Sequence, residues 1–114
     1  MALNTASLDV MANAWRAVAT HLSIHTAQPN ASGSNESTAA RVAASWPSSS
    51  SGDLTVTNKA FTGGAASGAA THVGFWSASS GGTFYGDKAL TGDQTFNAAG
   101  EYTITSLTVD SSSS

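Results

Sequence analysis

The hydrophobic periodicity of this chain changes once, near residue 20, and this change limits the fold to one helix followed by strands. In residues 7–19 large apolar residues recur at steps of three, four and three, the spacing of a single helix face. They are Leu8, Met11, Trp15 and Val18. Ser7 is placed to cap the first turn. We expect this helix either to pack on its own domain or to dock against another subunit, because a short helix is marginal alone.

Beyond residue 20 the pattern alternates with a period of two, and turns rich in Gly and Ser separate the alternating segments. The predicted strands lie at residues 21–26, 41–46, 54–58 with Phe61, 71–77, 84–85, 95–96 and 101–109. At Ser106 the apolar phase slips by one residue, which predicts a β-bulge or a strand end. The predicted fold is mainly β: a short N-terminal helix followed by an antiparallel β-sandwich or small barrel.

A chain of 114 residues favours one folded domain, here divided into three parts. Residues 1–20 are predicted to form an N-terminal helical anchor segment, and residues 21–109 the β domain. Residues 110–114 read DSSSS and are predicted to be a flexible Ser-rich tail.

Composition excludes several classes of function. The chain has no cysteine, which removes disulfides, cysteine-zinc sites and thiol nucleophiles. Its net charge is −3 with only four basic residues, so no basic patch is available and no nucleic-acid partner is expected. Residues 2–24 lack the pattern of a targeting segment, and the apolar runs are too short to span a membrane. We therefore expect a soluble protein that is made in a cytoplasm and binds no membrane.

The chemistry-bearing residues do not form a recognisable catalytic or metal-binding pattern. His21 and His25 share a strand face but lie about 13 Å apart, too far to hold one ion directly, and His72 can join only one of them. Seven carboxylates are dispersed, and neither a nucleophile elbow nor a phosphate-binding loop occurs. The sequence predicts no enzyme, no metal site and no cofactor.

Glu36 and Arg41 are the only strong charges between residues 17 and 52. A carboxylate and a guanidinium at the two ends of a short excursion can fasten it to the sheet by a bidentate contact. We predict this structural pair. Recognition of a ligand by Arg41 is the alternative.

Three blocks of sequence resemble a family of small bacteriophage virion proteins, described as tail-fibre-like or minor structural proteins. The blocks read "LSIHTAQPNASGSNES", "THVGFWSASSGGTFYGDKAL" and "AAGEYTITSLTV", and the resemblance covers about residues 20–109. The first block matches the family at Leu22, His25, Thr26, Pro29, Gly33, Asn35, Glu36 and Arg41. Ala40 is a departure, because an aromatic residue usually precedes the Arg in this family.

The resemblance implies a non-enzymatic particle component that is present in many copies. Such a protein would be attached to the tail or would decorate the capsid, and would be assembled into the virion in the host cytoplasm. The expected partners are other virion proteins and further copies of this chain, most simply as a homotrimer. Candidate subunit or partner contacts are Leu8, Met11, Trp15, Val18, Trp46 and Trp76, with ordinary core packing as the alternative for the three Trp rings.

Two other functions compete with this interpretation. A module that binds a host-surface glycan would stack sugar rings on an exposed Trp46 or Trp76, with Asn35 and Asp87 as polar partners. A small hydrolase would need two convergent acidic groups or an activated serine, and the spacing offers neither.

Overall fold

The computed structural model describes residues 4–110 as one helix and six strands. In chain order they are α1 (Thr5–Val18), β1 (His21–His25), β2 (Val42–Ala43), β3 (Asp53–Phe61), β4 (His72–Trp76), β5 (Phe84–Ala89) and β6 (Tyr102–Asp110). The predicted Ser-rich tail lies, beyond Asp110, outside the described residues. The one helix in the described part of the chain is 14 residues long and does not qualify as a membrane span.

Two antiparallel sheets and the helix enclose one core. The larger sheet has the strand order β2-β1-β4-β5, and the smaller sheet pairs β3 with β6. Apolar residues from both sheets and from α1 pack in a single cluster that includes Ala12, Leu22, Ile24, Leu54, Val56, Phe61, Val73, Phe75, Ile104 and Leu107. This arrangement confirms the predicted mainly β fold, and it is sandwich-like, without a closed barrel among residues 4–110.

Helix α1 begins two residues before the predicted start and uses a different cap. Asn4 is the N-cap, and its side-chain oxygen accepts the backbone N–H of Ser7 at 2.9 Å. The predicted cap, Ser7, instead lies within the first turn of the helix. Asn4, three residues earlier, caps this turn by accepting the backbone N–H of Ser7.

The predicted apolar stripe of the helix is divided between core and surface. Leu8 is buried and Trp15 packs against the core cluster. Met11 and Val18 are 51% and 44% exposed, so the helix is rotated with one edge of the stripe inward. A strand with one apolar face can bury that face in only one orientation. A helix that is apolar over a wide arc can pack on the core at several rotations about its axis.

The predicted bulge or strand end at Ser106 is wrong, although the phase slip itself is present. On β6 the buried residues are Tyr102, Ile104 and then Leu107, so burial shifts from even to odd positions. The strand pairs around this shift, Thr57 with Ser106 and Lys59 with Ile104, nevertheless have the same register. The partner strand slips at the same level, where Asn58 has a left-handed φ of 54°. Both strands therefore change face together, and neither needs an extra residue.

Three predicted strands differ in length. The segment at 41–46 pairs only over Val42–Ala43, because Ser45 has a φ of 52° and turns the chain away from the sheet. The strand predicted at 84–85 extends to Ala89. Residues 95–96 contribute only an isolated bridge between Ala69 and Thr95.

Candidate functional site

The candidate site is the loop of residues 26–40, which joins β1 to β2, together with the side chain of Arg41. The Arg41 Nε and Nη2 groups donate to the two carboxylate oxygens of Glu36 at 2.8 and 3.0 Å. Only 8% of the Arg41 side chain and 27% of the Glu36 side chain are exposed. The two residues therefore form a bidentate ion pair in which the Arg41 side chain is shielded from water and Glu36 stays partly exposed.

The same guanidinium also contacts the turn between β4 and β5 and an aromatic ring. Its Nη1 group donates to the carbonyl oxygens of Ala78 and Gly81 at 2.9 and 2.8 Å. Its central carbon lies 3.7 Å from the centroid of the Trp76 ring, a cation-π contact. We call this group of Glu36, Arg41, Trp76 and the two carbonyls the Arg41 clasp. It joins the loop, the turn and β4 through one side chain.

Beneath the clasp, polar side chains form a continuous buried chain of hydrogen bonds. Trp76 Nε1–H donates to Ser23 Oγ at 2.8 Å, and Ser23 Oγ lies 2.6 Å from His25 Nε2. His25 Nδ1 lies 2.8 Å from the carbonyl oxygen of Ser34 in the loop. A carbonyl only accepts, so Nδ1 carries the proton and Nε2 accepts the hydroxyl hydrogen of Ser23. When the imidazole is neutral, every side-chain polar atom in this series of hydrogen bonds has a partner.

This polar chain lies on the face of the four-stranded sheet that points away from the core. Ser23 and His25 alternate with the core residues Leu22 and Ile24 along β1, yet all four are completely buried. Ser23 pairs with Gly74 of β4, where an added Cβ atom would collide with His25 Nε2. The absence of a side chain at this position makes room for the imidazole.

The loop covers this outer face and is held by hydrogen bonds within itself and to β1. The Asn30 side-chain oxygen accepts the backbone N–H of Ser32 at 2.9 Å, and the Ser37 N–H donates to the Ile24 carbonyl at 2.8 Å. Gly33 has a φ of 78°, and a Cβ there would lie 2.5 Å from the Trp76 ring. The loop backbone is therefore packed directly on the ring.

Burial lowers the pKa of His25 from its ordinary value of 6.5. The hydrogen bond to Ser34 and the carboxylates of Glu36 and Asp87 oppose this effect, while His72 adds to it. The geometry and the lowered pKa agree, because protonation of Nε2 would remove the acceptor of the Ser23 hydroxyl hydrogen. His25 is therefore built into the fold in its neutral form.

The other predicted contact residues divide between the interior and the surface. Trp46 and Trp76 are only 6% and 7% exposed, and Trp46 donates its Nε1–H to the Ala19 carbonyl at 2.8 Å. Trp15 lies 5.6 Å from Trp46 and 5.1 Å from Phe75, measured between ring centroids. Most of the surface of Trp46 and Trp76 is therefore used within the chain, which leaves little of it for another molecule.

The described residues do not gather the side chains that a metal site needs. Within residues 4–110 no three His, Asp or Glu side chains lie close enough together to hold an ion. His21 and His72 each form a hydrogen bond through Nδ1 with the preceding threonine, Thr20 and Thr71. The arrangement around Arg41 fastens a loop, and the side chains in it already have partners.

Sequence reasoning placed Glu36 and Arg41 at the ends of one excursion, and the structure brings them into contact. The sequence did not indicate that Trp76, Ser23 and the two turn carbonyls would be their neighbours. The alternation of β1 was a usable signal for Ser23 and His25, because it sets them on one face. No sequence signal indicated that the loop would bury that face.

We predict that Glu36→Gln lowers the free energy of unfolding by about 1–2 kcal/mol, because it removes the charge that Arg41 bonds twice. Glu101→Gln is the matched control, since Glu101 is exposed and its side chain accepts a hydrogen bond from Asn97 without forming an ion pair among the described residues. The control should change stability by less than about 0.5 kcal/mol. Chemical denaturation of both variants measures the difference, and equal effects would show that the clasp contributes nothing.

Gly33→Ala and Gly92→Ala form a second matched pair, because the two glycines have φ angles of 78° and 75°. Both variants carry the cost of a left-handed alanine, roughly 1–2 kcal/mol. Only Gly33 packs on Trp76, and a Cβ at Gly92 would meet nothing within 4 Å. We expect Gly33→Ala to be less stable than Gly92→Ala by at least about 1 kcal/mol in thermal or urea unfolding. Equal losses would contradict the packing of the loop on the ring.

We predict that stability falls as the pH drops from 7.5 to 5.5. Since the folded pKa of His25 is lowered, the unfolded chain takes up its proton at higher pH than the folded chain. The full contribution is present above pH 6.5 and is lost as the pH falls toward the lowered folded value. His25→Asn should flatten this profile, whereas His21→Gln should keep it, because His21 is not among the groups that shift the pKa of His25. A profile that His25→Asn leaves unchanged would assign the pH dependence to another group.

Comparison with known proteins identifies a family. A family model described as podophage GP4 fiber I protein gp80 matches residues 2–112 of the 114-residue chain. No curated protein and no solved structure gives a significant match. The match confirms the resemblance to a family of small bacteriophage virion structural proteins, and because it spans nearly the whole sequence, the chain belongs to the podophage GP4 fiber I protein gp80 family.

Proposed function

We propose that this chain is a non-catalytic structural subunit of a phage fibre, present in several copies on the virion and attached to other virion proteins. The family match over residues 2–112 carries this proposal. The description of that family names a fibre, which favours a fibre component over a capsid decoration protein. Assembly in the bacterial cytoplasm and a homotrimeric state belong to the same proposal.

The site geometry supports a structural role. Arg41, the most strongly bonded cation of the candidate site, contacts Glu36 and two backbone carbonyls. No buried side-chain nitrogen or oxygen within residues 4–110 lacks a hydrogen-bond partner. Catalytic and binding groups are commonly left short of partners until a ligand arrives, whereas a fully bonded interior stabilises one conformation.

A glycan-binding role through the two Trp rings receives no support from their positions. Stacking on a sugar requires an open ring face, and Trp46 and Trp76 are 6% and 7% exposed. The guanidinium of Arg41 already covers the Trp76 ring. The proposed polar partner Asn35 donates its side-chain N–H to the Gln28 carbonyl at 3.2 Å.

Electron cryo-microscopy of intact particles tests the proposal, with particles from a phage that lacks this gene as the control. We expect density for the β domain in several symmetry-related copies on a fibre, and its loss from the control particles. Density spread over the capsid would make the chain a decoration protein. Particles with no density for the chain in either place would overturn a role in the virion.

A further inference from the structure

The middle of the loop that covers the larger sheet forms a closed unit of its own. Its two ends meet, because the Thr26 N–H donates to the Asn35 carbonyl at 2.9 Å. Inside it, the side-chain amide of Asn35 donates to the Gln28 carbonyl at 3.2 Å. Compact surface loops whose ends are close are packed by their own side chains and form units of the surface. We call residues 27–35 the flap.

Among the hydrogen bonds of the described residues, one joins the flap to the sheet beneath it. His25 Nδ1–H donates to the Ser34 carbonyl at 2.8 Å. The flap also packs on the sheet through Gly33, which lies against the Trp76 ring. The Arg41 clasp holds the next residue, Glu36, so it fastens the base of the flap and not the flap itself.

The same flap separates the imidazole of His25 from water. The ring is completely buried on the outer face of the sheet, and the Phe84 ring lies 5.9 Å away, measured between centroids. A neutral imidazole is stable there because both of its nitrogens have partners. A protonated imidazole would leave the Ser23 hydroxyl hydrogen without its acceptor and would hold a positive charge away from water, which is costly. The closed flap therefore fits the neutral form of His25.

We propose that the flap is a pH-controlled cover: protonation of His25 lifts it from the sheet, while the Arg41 clasp stays closed. Hydration of the imidazolium drives the change, because the sheet occupies the other side of the ring and water reaches it from the side of the flap. Lifting removes Gly33 from the Trp76 and Phe84 rings, so acid exposes an aromatic surface that is covered at neutral pH. This property goes beyond the fibre role and belongs to the single chain.

Charged groups on the elements next to His25 also act on its ring. Glu36 forms an isolated strand bridge with His25, and Asp87 lies on β5 beside a recess of about 310 Å³ that separates the flap from this strand. Both carboxylates favour the protonated ring, although Glu36 is already bonded to Arg41. His72, the partner of His25 on β4, opposes it. Burial has the largest effect, and it lowers the pKa of His25.

The direction of the pH dependence follows from the pKa of His25 in the two forms. In the lifted form the ring is hydrated and has its ordinary pKa of 6.5, whereas the pKa of the covered form is lower. Well above pH 6.5 both forms are neutral and the flap stays down. As the pH falls below 6.5, the lifted form takes up the proton first and becomes more populated. From pH 7.5 to 5.5 its fraction increases by up to about tenfold.

Hydrogen exchange of the tryptophan indole N–H groups tests the cover, followed by NMR on the full chain and corrected for the intrinsic rate at each pH. The Trp76 Nε1–H donates to Ser23 Oγ beneath the flap. We expect its exchange to accelerate roughly three- to tenfold between pH 7.5 and 5.5. Low concentrations of urea should leave this rate unchanged, because lifting the flap exposes little surface.

The Trp46 Nε1–H is the internal control, since it donates to the Ala19 carbonyl and its ring belongs to the core cluster. It should exchange more slowly than Trp76 and should accelerate with urea, because its exposure requires unfolding of the chain. A Trp76 rate that does not change with pH overturns the cover. A Trp76 rate that equals the Trp46 rate and has the same urea dependence also overturns it, because both would then report unfolding of the whole chain.

Variants separate His25 from the clasp. His25→Asn removes the group that titrates, so the corrected Trp76 rate should become independent of pH. Arg41→Lys weakens the base of the flap and should accelerate Trp76 exchange by the same factor at both pH values. His21→Gln is the matched control and should exchange as the wild type does. A His25→Asn variant that keeps the wild-type pH response, or an Arg41→Lys variant that loses it, overturns the proposal.

The ring resonances of His25 in the wild-type chain give a further readout that needs no substitution. They should titrate with a midpoint below 6.5, and a midpoint at or above 6.5 overturns the cover, because protonation would then not favour lifting. All these readouts concern the isolated chain. Their failure leaves the fibre role intact, and absence of the chain from particles leaves the cover intact.

Discussion

The contact that the outer half of this protein depends on is the one between Arg41 and the groups around it. One guanidinium neutralises Glu36, lies over the face of the Trp76 ring and donates hydrogen bonds to the carbonyls of Ala78 and Gly81. The loop that carries Glu36 is distant in sequence from β4 and the turn that follows it, which carry the other partners. Only Arg presents enough fixed donors to satisfy all of them, because the ammonium of Lys is a single point charge. Long loops with few buried apolar contacts are usually among the least stable parts of a fold. Here the Arg41 side chain holds the loop of residues 26–40 in place of a hydrophobic anchor.

The clasp matters because it closes a layer of the fold that has little apolar material. The two central strands of the larger sheet, β1 and β4, are buried on both faces, but their outer face carries Ser23, His25 and Trp76 in place of a row of aliphatic residues. Burying a hydroxyl and an imidazole is costly unless each has a partner, and the loop supplies the last acceptor through Ser34. Two positions without side chains, Gly33 and Gly74, allow the close approach. Small residues and complete hydrogen bonding together replace the packing that a larger core would provide.

The sequence predicted the parts of the fold that follow from local patterns. Alternation located β1, β4 and β6, because their large apolar residues recur with a period of two over most of each strand. The pairing of Glu36 with Arg41 was expected since no other strong charge lay nearby. The partners of Arg41 in the turn were not predictable, because backbone carbonyls carry no sequence signal. The sequence also did not predict that β3 and β6 change face together at Asn58 and Ser106, because this depends on the register between two strands that are distant in sequence. Resemblance to a family supplied the functional class, which no local pattern contained.

The rotation of α1 shows why the helix is the part whose role a pattern cannot decide. The apolar residues of α1 spread far enough around the circumference for several rotations to bury a hydrophobic stripe. What selects the observed rotation is the polar side: Asp9, Asn13 and Arg16 find partners in residues 46–52. Once those bonds fix the helix, Val10, Met11 and Val18 must face outward. The hydrogen bonds inside the chain thus determine which apolar surface is presented outside it. A helix whose polar residues are satisfied internally leaves hydrophobic association as the chemistry available to its outer face.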